Sequence, residues 1–492
     1  MSLSYQENYN KLSIAKHQDI VKITYFTVIA SILLSFYYIA NVELINKDGF
    51  YYIDIAGIFL KQGFAAAMAQ YNWPFFPIIA AYIHSFLGFS LANSFYLISI
   101  LSYGLIAYAF IKIAELVLPI KALPIASVVF LCAATINKHR DDIIRDHSYW
   151  AFALLATLFL IQAIYSKNWK KVIFSLMALS ISIIFRPEGI IHFFLFPVIF
   201  ICCTTNFIKT ISRNKLTSII ILASSILTLY CTFYLLRDTK LATDILKAVR
   251  FDRTLESIFT GAEILNNYFL PKYSHHYSVH FMIAGITSIF LLNIIASLGT
   301  LYLVAILLDA KCFINWIKEN TIIIFLTISF SLPIILFVYK HYFLSPRYTV
   351  LISLISLLPV TYIFYKNILN NKRKKYLAYF LIFASFIDST VSFNHTSKKY
   401  ITDAAEWVNS TYPDNHLIVT NDPRLNYLVN GNYISTPEIN LDNINKNADI
   451  LLFNIRRKDK HTLSKIKDYG LWKESKRFYN NKNDFTIVLT KI

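Results

Sequence analysis

The sequence has few of the small and reactive residues on which many soluble enzyme motifs depend. Of its 492 residues, 11 are glycine, 13 are proline and five are cysteine. It contains no Gly-rich phosphate loop and no Walker-type motif, so nothing indicates a nucleotide site of that kind. The cysteines lie in or beside apolar segments, without CxxC spacing or a disulfide framework. We interpret them as small apolar packing residues.

Acidic residues are also scarce, at 29 against 47 lysines and arginines, which gives a net charge of +18. A basic balance can indicate nucleic acid as a partner. Here, however, the basic residues cluster in short loops between apolar segments, where they set topology and contact anionic lipid. The charge therefore predicts membrane lipid as a partner and no nucleic acid. The sequence also lacks an internal repeat, which disfavours a secondary transporter.

Apolar and aromatic residues are abundant. The chain is 56% hydrophobic and 16% aromatic, with a mean hydropathy of +0.49. Many windows exceed the about 20 apolar residues that a helix needs to cross a bilayer. We therefore predict an α-helical polytopic membrane protein. Its apolar stretches are 22–40, 74–92, 95–118, 122–136, 148–166, 172–185, 189–205, 217–236, 281–308, 320–339, 348–366 and 376–393.

Basic clusters predict how these stretches are oriented. The positive-inside rule places the N-terminus and the clusters at 167–171, 209–215 and 366–375 in the cytoplasm. If every stretch crossed, the cluster at 167–171 would fall outside, so one earlier stretch must fail to cross. The stretch 122–136 is short for a full span and is predicted to be re-entrant or a short helix. About eleven transmembrane helices remain, with the C-terminus extracytoplasmic.

The end of the chain differs in composition from the rest. Residues 1–393 form the predicted transmembrane domain, whereas residues 394–492 are polar. Strand-like runs alternate there with helix-like stretches such as Thr402–Ser410, which is typical of a small α/β domain. The topology predicts that this domain is extracytoplasmic. The predicted strands are His416–Thr420, Asp449–Ile455 and Phe485–Leu489.

Carboxylates gather on the predicted extracytoplasmic side of the membrane. Asp48 follows the first apolar stretch closely, where a carboxylate is well placed to act on a substrate held at the bilayer surface. In the loop 137–147, Asp142 and Asp146 would share a face if the loop were helical, and Asp141 could pair with Arg145. The alternative is a solvated loop whose charges pair among themselves.

Two arginine motifs are predicted on the same side. The tight turn 186–189 joins two apolar segments, and its Arg186 and Glu188 are either interfacial anchors or part of a site for an anionic head group. Arg347 opens the next-to-last span and follows Lys340. An arginine at a helix start can bind phosphate through two donors at once. The alternative is that Arg347 only anchors the orientation of the span.

Together these residues resemble the GT-C superfamily of polytopic glycosyltransferases. That group includes protein O-mannosyltransferases, the aminoarabinose transferase of lipid A and bacterial relatives of family 39. The resemblance covers most of the membrane part and depends on the order of short motifs and on their common side. These motifs are Asp48 with Tyr51, Tyr52, Ala56 and Gly63; Trp73-Pro74 leading to Pro77; Arg145-Asp146-His147-Ser148-Tyr149-Trp150; Phe185-Arg186-Pro187-Glu188-Gly189; and Pro346-Arg347-Tyr348.

The resemblance implies a GT-C-like fold, a polyprenyl-phosphate-linked sugar as donor, and an acceptor hydroxyl reached from the outer face of a bacterial inner membrane. It implies inversion at the anomeric centre, with Asp48 as general base. Asp146 is the expected second carboxylate, which orients Asp48, the acceptor or a cation. Arg347, Lys340 and Arg186 are expected to stabilise the leaving phosphate. The other expected substrate-binding residues are Glu188, Tyr348, Tyr52, Asp142 and Arg145.

One departure from the family pattern leaves the cofactor open. Many relatives have an Asp-Glu pair where this chain has Asp48-Gly49, so both no cofactor and a divalent cation stay as alternatives. The expected acceptor is a glycan, lipid A or a protein, which suggests a role in the cell envelope or in lipopolysaccharide. Two other functions stay open: a flippase for a lipid-linked glycan, and a glycan polymerase or ligase of another fold that uses the basic loop 237–280.

Overall fold

The structure is a computed structural model and describes most of the chain. The described residues are 14–204, 251–370, 372–390, 397–413, 416–430, 432–435, 448–457 and 472–491. The helices of the membrane part are α1 (Ile14–Ala40), α2 (Lys47–Gln70), α3 (Phe75–Leu87), α4 (Leu91–Val117), α5 (Leu123–Leu131), α6 (Ala134–Asn137), α7 (Asp146–Ser166), α8 (Trp169–Phe185), α9 (Gly189–Thr204), α10 (Phe251–Tyr268), α11 (Ser278–Leu298), α12 (Thr300–Leu308), α13 (Ala310–Glu319), α14 (Thr321–His341), α15 (Val350–Asn370) and α16 (Lys372–Thr390). Short 3₁₀ turns occupy Ile120–Ala122, Lys272–Tyr277 and Pro346–Thr349.

The described residues support a multi-pass membrane protein with fewer evident spans than the sequence predicts. Six helical segments are long and apolar enough to cross a bilayer, and a seventh results if α12 and α13, bent by 88°, count as one broken span. The segment Ile120–Leu131, where the sequence predicts a short or re-entrant helix, is one of three shorter apolar helices. The total of about eleven spans is therefore not shown. The stretch 217–236 lies outside the described residues.

One predicted stretch, 281–308, is divided into two helices. The break falls at Gly299, whose φ of 86° and ψ of 139° end α11 after Leu298. Glycine takes up such a positive φ without the steric penalty of a side chain. The prediction of one uninterrupted span here was wrong, because hydropathy does not register a single change of backbone conformation.

The tightest helix packing surrounds the charged loop that precedes α7. Helix α7 packs against α4 and α8, and α1 packs against α4. The loop is fixed from within by Arg140, which is fully buried and donates to the Ser31 carbonyl at 2.8 Å and to the Ser35 hydroxyl at 2.6 Å. Its guanidinium also lies 4.3 Å from the centroid of the Tyr103 ring. Because a buried cation is stable only when its donors are occupied, these bonds hold the loop to α1.

The C-terminal part folds around a five-stranded mixed sheet with the order β2-β1-β3-β5-β4. Strand β1 is parallel to β2 and β3, whereas β5 is antiparallel to β3 and β4. The predicted strands coincide with β1, β3 and β5, and the predicted helix lies within α17, so these predictions are confirmed. The elements are α17 (Lys399–Thr411), β1 (Leu417–Thr420), α18 (Pro423–Leu428), β2 (Asn432–Ser435), β3 (Ile450–Ile455), β4 (Trp472–Tyr479) and β5 (Phe485–Lys491).

The central strand of the sheet is buried on both faces. Along β3, Ile450 and Leu452 belong to one apolar cluster, and Leu451 and Phe453 belong to the other. This is the alternation of side chains that a strand imposes. The first cluster also includes Phe50 from the first turn of α2. The C-terminal part therefore shares an apolar cluster with the helix that carries Asp48, and α18 contacts that helix.

Candidate active site

Asp48 and Arg347 meet although they are distant in sequence. Asp48 lies in the first turn of α2, and Arg347 lies in the 3₁₀ turn that precedes α15. The Asp48 Oδ2 accepts a hydrogen bond from the Arg347 Nη1 at 2.6 Å. Both side chains remain accessible, at 42% exposure for Asp48 and 27% for Arg347. The Arg347 Nε is buried and has no hydrogen-bond partner among the described residues.

A second, buried group of charges is centred on Arg186. The Arg186 Nη1 donates to Asp146, its Nη2 donates to the Glu188 Oε1 at 3.1 Å, and its Nε approaches the Glu188 Oε2 at 3.4 Å. Asp146 is 3% exposed and Arg186 is 6% exposed. Buried charges are tolerated when they are paired and hydrogen-bonded. Burial alone would raise the pKa of Glu188, but Arg186 and Arg145 lower it to about 2.

Tyr348 connects the two groups of charges. The centroid of its ring lies 4.5 Å from the guanidinium carbon of Arg186 and 5.4 Å from that of Arg347. Both distances are within the range of a cation–π contact. The exposed pair and the buried cluster are therefore adjacent, and the structure brings Asp48, Asp146, Arg186, Glu188, Arg347 and Tyr348 together in one site.

Tyr52 and Arg145 line the same region through aromatic contacts. The Arg145 guanidinium carbon lies 5.9 Å from the centroid of the Tyr71 ring. The Tyr52 ring packs against Tyr71 and Phe76, with centroids 5.9 and 5.3 Å away. Burial raises the pKa of Tyr52, so its hydroxyl is a neutral hydrogen-bonding group at physiological pH.

Two further predicted substrate residues are Asp142 and Lys340, and Asp142 has other surroundings than those predicted. The chain before Asp146 is a series of turns and α7 begins at Asp146, so the helical spacing that would align Asp142 with Asp146 does not occur. Asp142 instead bonds the His139 Nδ1 at 3.0 Å. Burial acts to raise the pKa of Asp142, but the bond to His139 lowers it overall. Lys340 lies half-buried in the last turn of α14.

Asn46 is a functional candidate that sequence reasoning missed. Its Oδ1 accepts from the Ile143 backbone nitrogen at 2.8 Å, and its Nδ2 donates to the Ile143 carbonyl at 3.3 Å. This two-point contact ties the first turn of α2 to the loop that leads into Asp146. Asn46 stands in the same sequence run as Asp48, but nothing in the sequence indicates its partner.

The close approach of Ile143 also explains the glycine beside Asp48. A Cβ at Gly49 would lie 2.6 Å from the Ile45 Cγ2, 2.8 Å from the Asn46 Oδ1 and 2.9 Å from the Ile143 Cβ. These distances are too short for an added carbon. An acidic side chain at position 49 therefore has no room, which accounts physically for the departure from the Asp-Glu pair.

The described residues show no group of ligands arranged for a metal ion. Within the described ranges, no group of three or more histidine, cysteine or acidic side chains could hold an ion. The carboxylate of Asp48 faces Arg347, and those of Asp146 and Glu188 face Arg186. The missing side chain at Gly49 removes a further oxygen donor of the kind that a divalent cation requires.

Comparison with solved structures identifies the fold, whereas comparisons of the sequence with protein-family models and with curated proteins find no match. The structure is similar to the archaeal oligosaccharyltransferase AglB from Archaeoglobus fulgidus in complex with an inhibitory peptide and a dolichol-phosphate. The TM-score is 0.52 at 11% identity, over 96% of this chain and 74% of that chain. A second structure, the Archaeoglobus fulgidus oligosaccharyltransferase complex with Zn and sulfate, gives 0.50 at 12% identity, over 94% and 72%. The chain therefore has a GT-C-like fold, as its sequence motifs predict.

Proposed function

We propose that the protein is an inverting glycosyltransferase of the bacterial inner membrane, with its N-terminus cytoplasmic and its C-terminus extracytoplasmic. It transfers a sugar from a polyprenyl-phosphate-linked donor to an acceptor hydroxyl at the extracytoplasmic face. The observation that carries this proposal is the accessible Asp48–Arg347 pair beside the buried Asp146–Arg186–Glu188 cluster. The likeness to an oligosaccharyltransferase solved with dolichol-phosphate supports the choice of a lipid-linked donor.

Asp48 acts as the general base in this mechanism. Its carboxylate accepts the proton of the acceptor hydroxyl while the hydroxyl oxygen forms a bond to the anomeric carbon. The bond between that carbon and the phosphate oxygen breaks, and the lipid phosphate leaves with the electron pair. A single displacement of this kind inverts the anomeric centre.

Arg347 stabilises the departing phosphate. Its Nη1, which now donates to Asp48, can donate to a phosphate oxygen instead and form a charge-assisted hydrogen bond. When the phosphate takes over the Nη1, the Asp48 carboxylate is released to receive the acceptor proton. Arginine is well suited to this exchange because its planar donors match a phosphate as well as a carboxylate.

The buried cluster shapes the pocket around the donor. Asp146 and Glu188 fix Arg186 against the Tyr348 ring, so that Arg186 contributes positive charge without moving. We propose Glu188, Tyr348, Tyr52 and Arg145 as contacts to the sugar and phosphate. Lys340 adds positive charge near the end of α14. Asp142 supports the loop through its bond to His139.

No step is assigned to a metal ion. The acceptor is a glycan, lipid A or a protein. A peptide is present in one oligosaccharyltransferase complex of similar fold, which supports keeping protein among these acceptors.

Complementation of a deletion strain tests the proposal. Mass spectrometry of envelope lipids, glycans and glycopeptides should show a monosaccharide that is lost on deletion and restored by the wild-type chain. Asp48→Asn should be made at normal level and restore none of it. Asp309→Asn is the matched control. Asp309 is also paired with a cation, the Lys374 Nζ at 3.3 Å, but this pair lies at the C-terminal end of α15, whereas Arg347 precedes its N-terminal end. Restoration by Asp48→Asn would refute the proposed base, and movement of labelled lipid in vesicles without a new glycosidic bond would favour a flippase.

A further inference from the structure

The C-terminal part of the chain, formed by α17, α18 and strands β1 to β5, is called the sheet unit. It contacts the first turn of α2 through an ion pair and an aromatic stack. The Lys47 Nζ lies 3.5 Å from the Asp422 Oδ2. The Phe50 ring stacks on Tyr427, with centroids 4.7 Å apart and planes inclined by 23°. The Tyr427 hydroxyl also donates to the Phe50 carbonyl at 3.1 Å. Positions 47 and 50 share one face of a helix, while Asp48 projects from the neighbouring face.

Asp422, the partner of Lys47 in the sheet unit, is itself fixed by hydrogen bonds. Asp422 is 1% exposed and accepts hydrogen bonds from the Arg424 Nε at 3.0 Å, the Arg424 Nη2 at 2.7 Å and the Asn454 Nδ2 at 2.7 Å. Burial would raise the pKa of Asp422, but the bonds and charge of Arg424, with Lys47 and Asn454, lower it to about 2. Lys47 therefore meets a carboxylate whose position is already fixed by the sheet.

Apolar burial strengthens the same contact. Leu44 is 7% exposed and Phe50 is 8% exposed, and both belong to the apolar cluster that includes Ile401 and Leu425 of the sheet unit. The residues on both sides of Asp48 are thus part of the core of the C-terminal unit. The first turn of α2 cannot shift without disturbing that core.

We propose that Asp422 and Tyr427 are positioning residues for Asp48. By fixing the first turn of α2, they keep the carboxylate within reach of Arg347 and of an acceptor hydroxyl. The proposal rests on the proposed function, because it gives the sheet unit a role in the same transfer reaction. A displacement of about 1 Å at a reacting group can lower a rate about 10²-fold, so a loosened turn is expected to reduce transfer strongly.

Two substitutions at Tyr427 separate positioning from general stability. Tyr427→Phe keeps the stack on Phe50 and loses one hydrogen bond, whereas Tyr427→Ala loses both. At equal amounts of folded protein, we expect Tyr427→Ala to lower glycan transfer about tenfold or more and Tyr427→Phe to restore most of it. Tyr479→Ala is the matched control, because Tyr479 is an exposed tyrosine of β4 in the same sheet.

Two readouts report on position without depending on activity. Hydrogen exchange of the amides in 44–54 should be faster in Tyr427→Ala than in Tyr479→Ala. Binding of undecaprenyl phosphate should stay within about twofold of wild type in Tyr427→Ala, because Arg347 is intact. If Tyr427→Ala does not fold, Phe50→Leu, which removes the stack from the other side, is measured in its place and should show the same loss of transfer and the same faster exchange.

The outcomes distinguish this proposal from the proposed function. If Asp48→Asn abolishes transfer while folded Tyr427→Ala transfers and exchanges like wild type, the positioning role is refuted and the base is retained. If Asp48→Asn transfers normally, the proposed function itself fails. Unchanged exchange in 44–54 alongside reduced transfer would also contradict positioning, since the turn would not have been loosened.

Discussion

The candidate site contains two arginine–carboxylate groups that differ in exposure and in the number of their contacts. Arg347 makes a single contact with Asp48, and the two side chains are 27% and 42% exposed. The Arg186 side chain is only 8% exposed and pairs with two carboxylates, and the exposed fractions of those side chains are 5% for Asp146 and 23% for Glu188. Water and ligands can compete for an exposed pair at little free-energy cost, whereas separating a buried pair leaves an uncompensated charge. The Asp48–Arg347 pair can therefore separate to bind substrate, whereas the Arg186 cluster stays closed and fixes the shape of the site.

Removing the buried arginine should have the largest effect on the folded protein. Arg186→Met leaves the buried carboxylate of Asp146 and the partly exposed carboxylate of Glu188 without their cation, and loss of a buried partner is expected to lower the free energy of unfolding by about 3–5 kcal/mol. Thermal unfolding of the detergent-purified protein measures this. Arg347→Met is the control and should change the free energy by less than about 1 kcal/mol, as for other accessible pairs. Equal destabilisation by the two variants would remove the distinction between the groups.

The close packing around Asp48 predicts the next largest effect. Gly49→Ala places a carbon within 3 Å of Ile45, Asn46 and Ile143, and overpacking of this kind costs about 1–3 kcal/mol. Gly57→Ala in the same helix is a matched control, because a Cβ there meets nothing within 4 Å. That change should stabilise the helix by up to about 1 kcal/mol. Chemical denaturation of both variants compares their free energies of unfolding. An unchanged free energy in Gly49→Ala would show that Ile143 moves aside easily.

Much of this arrangement could be predicted from the sequence, and the misses have physical reasons. Short motifs predicted that Asp48, Asp146, Arg186 and Arg347 belong to one side of the membrane, because loops between apolar stretches must emerge at a surface. Strands β1, β3 and β5 were predictable from their apolar runs. The Asn46–Ile143 contact was not, since a hydrogen bond between distant segments has no local pattern. The helical spacing that would align Asp142 with Asp146 is absent, because the loop is held by buried Arg140, which bonds Ser31 and Ser35 of α1.

A smaller effect concerns the pH dependence of the buried cluster. The pKa of Glu188 falls from 4.5 to about 2 on folding, since Arg186 and Arg145 outweigh burial. A lowered folded-state pKa contributes stability that is complete above the ordinary value and is lost as pH falls toward the folded value. Stability should therefore decline between about pH 4.5 and 2, and Glu188→Gln should flatten part of that decline. Denaturation midpoints at successive pH values measure this decline. If the midpoint falls with pH as steeply in Glu188→Gln as in wild type, the prediction is contradicted.

The most direct test of the central claim measures donor binding and transfer separately in two variants. Arg347→Met should weaken binding of undecaprenyl phosphate about ten- to hundredfold, the equivalent of a charge-assisted hydrogen bond. Asp48→Asn should bind it at least as well as wild type, yet lower transfer about 10²–10⁴-fold, as expected for loss of a general base. Substantial transfer by Asp48→Asn, or wild-type affinity in Arg347→Met, would contradict the assignment of base and phosphate-binding group.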